Sequence, residues 1–356
     1  MPRWPGSVLK KWDAPASTQL IAPRAGSTEA TGLEPEGPGY RTRVMDRIRI
    51  PNDATYSPIA LTDVVMAAPV AARVLLGATL PGRVVQVAAL GLYAGSVAKD
   101  WTARRGMRRV DFMAEFGSDV DRLDAQATAL RREEIARLGT LLNEGWVSER
   151  LPRAELAVRV NEVLTDYLAS LTGQRVETSN EIRKLTLASL IFPFAMGSCD
   201  MLSGDVAIFR DTGIFEAHVI AHEFVHRKGY WKELHAQALA YLALRGSGDP
   251  LLVQAARAER MHRQLRVLSG DDPEAFREAV AHAGLRDELE EAFQALRPDP
   301  GAIESVVGTG MKQVYDMRLK MTGQNGLSDY DEGFTNFLHT FENSPSARQP
   351  RSQASL

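Results

Sequence analysis

Cysteine is almost missing from this chain: 356 residues contain one, Cys199, so no intramolecular disulfide can brace the fold and a reducing compartment suits it. The lone thiol is expected to be a small buried residue near a strand. A charge excess of either sign is missing too. Forty-two Lys and Arg stand against 45 Asp and Glu, a formal −3, which gives no overall pull toward nucleic acid. No zinc-finger, helix-turn-helix or RNA-binding signature is present either, so nucleic acid is excluded as an expected partner. Met1 to Ala14 lacks an apolar run and is interrupted by prolines, which predicts no secretory signal peptide. Uninterrupted apolar stretches of membrane length are also lacking. The stretch 59–80 carries Asp63, Pro69 and Arg73, and 84–98 is too short for a comfortable span. No internal repeat is evident.

What is present is enough for a substantial core, since 44% of the residues are hydrophobic. Residues 1–57 are rich in Pro, Gly, Ser and Thr, including Pro35-Glu36-Gly37-Pro38-Gly39, and read as a weakly ordered, mostly extended arm. Residues 58–110 read as an apolar helical hairpin broken at Pro81-Gly82-Arg83. Its outer flanks are basic, with Arg41, Arg43, Arg47 and Arg49 before it and Lys99, Arg104, Arg105, Arg108 and Arg109 after it. Membrane association through 58–98, with both ends on the cytoplasmic side, and packing within a soluble protein both stay open. The expected location is accordingly cytoplasmic, with inner-membrane association as the open alternative. Residues 111–343 form the main domain, in which Val120–Leu142 and Ala154–Leu171 have the spacing of amphipathic helices. Residues 344–356 are a polar tail expected to be disordered.

The chemistry concentrates between Ala221 and Leu239, A-H-E-F-V-H-R-K-G-Y-W-K-E-L-H-A-Q-A-L. His222 and His226 are one helical turn apart with Glu223 beside the first. On a helix this spacing lets two imidazoles reach one tetrahedral Zn²⁺ while the intervening carboxylate is available to a water on the metal. Apolar residues from Ile214 to Ala221 continue the helical spacing upstream, and Gly229 stands where the helix would stop. Four of the seven His lie between 218 and 235, a density that a solvated helix does not need.

A catalytic zinc takes three protein ligands and keeps one position open. The spacing is similar to that of metzincins as far as Gly229, but their third His would fall on Lys232, so that assignment fails. Glu233 and His235 are the candidates; they lie about 200° apart on a helix and cannot both face one ion. Glu233 is favoured, with His235 as the alternative. Glu233 opens an apolar helix on which Gln237 follows one turn later, placed to hydrogen-bond His222 as the polar residue after a gluzincin Glu ligand does. His218, four residues before His222, is either a further support to the site or a core residue.

At these residues the chain resembles a group of bacterial membrane-anchored H-E-x-x-H proteins known only as a domain of unknown function. The motif with Gly229, Glu233 and the Ala236–Leu244 helix carries the likeness. A second stretch, Val314 to Lys320 with Gly323-Gln324-Asn325-Gly326 and Asp329-Tyr330, resembles the same group's C-terminal segment. The likeness covers roughly residues 200 to 340 and implies a gluzincin-like zinc metallopeptidase with N-terminal membrane segments. Departures are Gln237 in place of Asn, Asp329 in place of Ser, and His235 two positions after the Glu ligand.

The expected fold is therefore α+β and predominantly helical, a zincin-like core with a small sheet and the motif on a helix. Strands are expected at Leu185–Phe194 and Asp205–Phe209, the latter as the edge strand that holds substrate through Val206, Ala207 and Ile208. The expected activity is peptide-bond hydrolysis of a peptide or protein substrate with one Zn²⁺ per chain. Glu223 serves as general base and Tyr330 donates a hydrogen bond to the oxyanion. Two rival classes stand beside it: a catalytically silent zinc-binding protein, and a membrane-proximal scaffold.

Overall fold

The structure is a computed structural model and describes residues 45–185, 195–270, 272–296 and 302–345. Strand β1 (Asp46–Arg49) pairs in parallel with β2 (Gln174–Glu177), Asp46 opposite Gln174 and Arg49 opposite Glu177. The end of the expected loose arm is thus an ordered strand; residues 1–44 of that arm lie outside the described residues. Helices α1 (Leu61–Leu76) and α2 (Leu80–Arg104) follow as a hairpin. Its break is at Gly77, with φ 61°, and not at Pro81-Gly82-Arg83. Pro81 and Gly82 sit in the first turn of α2, where a missing N–H costs nothing and Thr79 caps the N–H of Gly82.

Helix α3 (Phe112–Phe116) starts at an Asp111 cap and ends at Gly117 in the left-handed region. Helix α4 (Thr128–Glu144) begins later than the periodicity from Val120 predicts. The N–H groups of Asp124 and Gln126 are instead taken by Thr340 Oγ1 at 2.8 Å and Asn336 Oδ1 at 3.0 Å, which holds that segment out of the helix. Helix α5 (Arg153–Thr172) matches its expected range closely.

Strands β3 (Arg183–Lys184), β4 (Gly197–Cys199) and β5 (Val206–Ile208) form a second sheet in the order β3-β5-β4, with β5 parallel to β3 and antiparallel to β4. The expected strand over 185–194 lies outside the described residues except for Leu185, whose N–H donates to Ile208 O at 3.1 Å. Cys199 lies in β4 and is half-buried.

The remaining helices are α6 (Glu216–Arg227), α7 (Glu233–Gly246), α8 (Pro250–Ser269), α9 (Pro273–Ala281), α10 (Asp287–Ala295), α11 (Ala302–Met321) and α12 (Glu332–Asn343). Pro follows an Asp cap at the start of both α8 and α9, at Asp249-Pro250 and Asp272-Pro273. Helices α6 and α7 are buried nearly all round, which marks central rather than surface helices. Ala236, Ala238, Ala240 and Ala243 keep α7 thin enough to pack among its neighbours. The described residues are mainly helical with two small sheets. Among the described residues no helix is long and apolar enough to cross a membrane.

Two buried arginines fix the frame around α6 and α8. Arg227 donates to the carbonyls of Gly204 (2.6 Å), Ser179 (2.8 Å) and Glu181 (2.7 Å), tying the end of α6 to the loops beside the sheets. Arg260 of α8 pairs with Glu134 of α4 and with both carboxylate oxygens of Glu342 on α12, at 2.6 and 2.8 Å.

Candidate metal centre

Helix α6 puts His222 and His226 on one face, and α7 brings Glu233 back against them. These three are the His, Cys, Asp and Glu group among the described residues whose ligand atoms converge, all within 4.8 Å of one another and all buried. Glu233 Oε2 lies 3.2 Å from Nε2 of each His, and the two Nε2 atoms are 3.1 Å apart.

The outer nitrogens are spoken for. His226 Nδ1 donates to Tyr230 O at 2.7 Å, a bond that only an N–H can make to a carbonyl. His222 Nδ1 lies 2.9 Å from Gln237 Oε1, and Gln237 Nε2 donates to Glu259 Oε1 at 2.6 Å. Since the Gln237 amide hydrogens face Glu259, its oxygen accepts from His222, and Nδ1 carries the hydrogen. Both Nε2 lone pairs therefore aim at one point already faced by a carboxylate. Such a set of acceptors is stable only around a cation, and the donor set of two imidazoles and one carboxylate fits a zinc-type metal ion. With a proton as the cation, burial pushes the His226 pKa down, but Glu233 and Glu223 outweigh it and raise it to about 9. His222 and His226 hold the Glu233 carboxyl well below its ordinary range against the opposing effect of burial.

Around the ligands the structure sets, beside the expected Tyr330, further residues with no role assigned from the sequence. Tyr315 of α11 donates to Glu233 Oε1 at 2.8 Å, and its hydroxyl is 3.3 Å from that of Tyr330. Tyr330 stacks on His222 with 5.7 Å between ring centroids, and Trp231 stacks on His226 at 6.1 Å. Gln324 accepts the Glu233 N–H at 2.7 Å, capping the start of α7. Arg263, one turn after Glu259, reaches Glu259 at 2.6 Å and Asp331 at 2.8 Å and lies over the Tyr330 ring. The second of the two sequence stretches, 314–330, thus folds over the ligands, which its distance along the chain did not show.

Glu223 is buried beside the ligands and makes no hydrogen bond among the described residues. Burial pushes its pKa up, and Glu233 adds to this against the two histidines. Gly197 of β4 lies against it: a Cβ there would sit 3.2 Å from Glu223 Oε1, 2.9 Å from Ile208 Cδ1 and 3.1 Å from Ala207 O, so a larger residue would have to displace its neighbours.

Two readings change. His235 is not a ligand: its ring stacks on Phe112 at 3.6 Å and its Nε2 is 2.7 Å from Asp119 Oδ1, on another side of α7. Val206, Ala207 and Ile208 are not an edge strand. They form the middle strand, paired on both sides and buried, so their backbone cannot take an added strand. Among the described residues β4 is the outer strand on the Glu223 side. His218, left open between a support to the site and a core residue, is buried with Nδ1 3.9 Å from the carboxylate of Glu259, which accepts from Gln237, the partner of His222.

Substituting the two third-ligand candidates separates them sharply: Glu233→Ala is expected to abolish stoichiometric metal binding, and His235→Ala to leave it intact. Metal content by mass spectrometry reads both, and retention in the Glu233 variant would refute the ligand set.

His218 also predicts a pH response. Burial pushes its pKa down to about 4, from an unfolded value near 6.5. Between these values the unfolded chain binds the extra proton, so stability is full above about 6.5 and falls as the pH drops toward about 4. The loss is about 3 kcal/mol. Urea unfolding of wild type beside His218→Gln across that window checks it; an identical pH slope in both would remove His218 as the cause.

The sequence model of a family described as a protein of unknown function, DUF3810, matches residues 214–338. That segment runs from the turn before α6 into α12 and holds the ligands, Tyr315 and Tyr330; the α1–α2 hairpin lies outside it. No curated protein and no solved structure matches the chain.

Proposed function

We propose that the chain is a zinc metallopeptidase with a gluzincin-like ligand set, His222, His226 and Glu233, in a zincin-like core. One observation carries the reading above others: beside three converging donors stands not a fourth ligand but a buried carboxylate, Glu223, with no hydrogen bond among the described residues. A structural zinc would close with a fourth Cys or His and would have no use for that carboxylate.

Zinc held there supplies the Lewis acidity that makes water nucleophilic near neutral pH. Glu223 takes the proton as water attacks the scissile carbonyl and returns it to the leaving amine, a double task open to a buried carboxylate beside the ligands that no hydrogen bond among the described residues holds elsewhere. Tyr330 stays protonated, since burial and then Glu233 push its pKa up, and so remains a hydrogen-bond donor for the developing oxyanion. Tyr315 holds Glu233 through its outer oxygen. An extended peptide is accommodated along β4, where Ser198 is exposed and Gly197 leaves room at Glu223.

The test is metal content of wild type beside His222→Ala/His226→Ala, followed by hydrolysis of a mixture of internally quenched peptides. About one zinc per wild-type chain, none in the variant, and cleavage abolished by chelator and restored by zinc is the expected result. A metal-free wild type at neutral pH, or cleavage indifferent to chelator, overturns it.

A further inference from the structure

His222 is supported by an amide, and an amide has two ends. Gln237 can meet the ring with its oxygen, which keeps the hydrogen on Nδ1 and leaves the Nε2 lone pair free. It can also meet the ring with its NH2, which needs a bare Nδ1 and sends the hydrogen to Nε2. The two ends differ little in shape, so packing does not choose between them. The second arrangement has a ready home for the hydrogen, since Glu233 Oε2 lies 3.2 Å from His222 Nε2. It would fill the point where a metal has to bind.

The choice is made one helix further away, on α8. Gln237 Nε2 lies 2.6 Å from Glu259 Oε1, and Arg263 Nε lies 2.6 Å from the same oxygen. A guanidinium only donates, so that oxygen accepts, and Gln237 has to offer it an N–H. Turned round, the amide would set oxygen against oxygen. Arg263 is itself held at its far end: Nη1 donates to Asp331 Oδ1 at 2.8 Å, and the guanidinium lies over the ring of Tyr330. Tyr330 in turn stacks on His222. These contacts close a ring that begins and ends at His222.

Glu259 does little else. It is 1% exposed, its Oε2 makes no hydrogen bond among the described residues, and His218 Nδ1, at 3.9 Å, is beyond hydrogen-bond reach of Oε1. A buried carboxylate that gives one oxygen to two donors and leaves the other idle is a poor brace, because the idle oxygen keeps its desolvation cost.

We propose that Glu259 is a positioning residue: fixed by Arg263, it orients the Gln237 amide and so keeps the His222 hydrogen on Nδ1 and the Nε2 lone pair at the metal point. The use of that lone pair rests on the zinc site proposed above, whereas the place of the hydrogen is a property of the chain itself.

The test uses the full chain with isotope-labelled histidine, freed of zinc by a chelator. Long-range nitrogen–proton spectra show which ring nitrogen carries the hydrogen, and competition with a chromophoric chelator gives the zinc Kd of the same preparations. Glu259→Met removes the accepting oxygen and strands no charge, since Arg263 keeps Asp331. Expected is a His222 hydrogen moved to Nε2 in about nine chains in ten and a zinc Kd raised about tenfold, because the chains that keep Nδ1–H are the ones that bind. Glu259→Gln, whose amide oxygen can accept from both donors, stays close to wild type in both readouts. Adding Glu259→Met to Gln237→Met changes Kd by no more than about twofold. His226 is the internal control, its Nδ1 hydrogen held by Tyr230 O in every variant.

A wild type with the His222 hydrogen already on Nε2, or a Glu259→Met chain in which it has not moved, overturns the proposal. So does a glutamine variant as weak as the methionine one, which would make charge the cause, or full additivity with Gln237→Met. A chain that binds no zinc would sink the peptidase reading alone, and the place of the hydrogen would still decide this one.

Discussion

Replacing Glu223 with glutamine is expected to leave about one zinc per chain and to lower peptide turnover about 10³-fold. Glutamine keeps the size of the side chain, so the packing against Gly197 and Ile208 survives, but it cannot take a proton. The ligands His222, His226 and Glu233 are oriented by hydrogen bonds to Gln237, Tyr230 and Tyr315, and the glutamine leaves these bonds in place. Metal binding and turnover therefore separate in this variant, as they do not in the histidine variants. Metal content and kcat measured on the same preparation decide the matter. Unchanged turnover would remove Glu223 from the mechanism, and lost zinc would make it a structural part of the site.

The second large effect is on stability. Arg260→Met is expected to destabilise the chain by about 3–5 kcal/mol, because it removes the buried cation shared by Glu134 and Glu342 where α4, α8 and α12 meet and leaves them only the more exposed Arg137 and Arg245. Arg260 is 2% exposed and also donates to the Tyr241 hydroxyl at 3.0 Å, so methionine fills the volume without replacing any of the hydrogen bonds. Most of the cost is the buried Glu134 carboxylate, left with only the half-exposed Arg137 as a cation at 3.8 Å. The double variant Arg260→Met/Glu134→Gln should recover part of it, since Glu134 is otherwise held by the amides of Gln126 and Gln264, each at 2.8 Å. Denaturant midpoints of the three proteins measure this; a single variant within 1 kcal/mol of wild type would show that the pair does not stabilise the native state.

The two effects differ in how far the linear chain announced them. H-E-x-x-H is legible because its geometry is local: a helix of known pitch fixes where residues four apart point. Gln237 was legible for the same reason, being one turn beyond Glu233. The choice between Glu233 and His235 was not. Both lie at the start of α7, and only the turn through Gly229, with φ 93°, sets which face of α7 meets α6. That turn sends Glu233 to the ligands and His235 to Phe112 and Asp119. The strand beside the site was misassigned because Val206–Ile208 is apolar enough for either a middle or an edge strand, and sheet order is a long-range property. The pairing of Arg260 with Glu134 was not legible either, since charge alternation says nothing about which face a neighbouring helix will cover.

By itself, then, the sequence determined the pair of histidines, the carboxylate between them, the Glu233–Gln237 turn and the mainly helical character, all of which follow from spacing within one helix. Tertiary structure decided what arrives from afar: Tyr315 and Gln324 over Glu233, β4 against Glu223, and the Arg260 cluster. Spacing within a helix is set by backbone geometry alone, whereas these contacts join residues tens to hundreds of positions apart and exist only once the helices have chosen their neighbours.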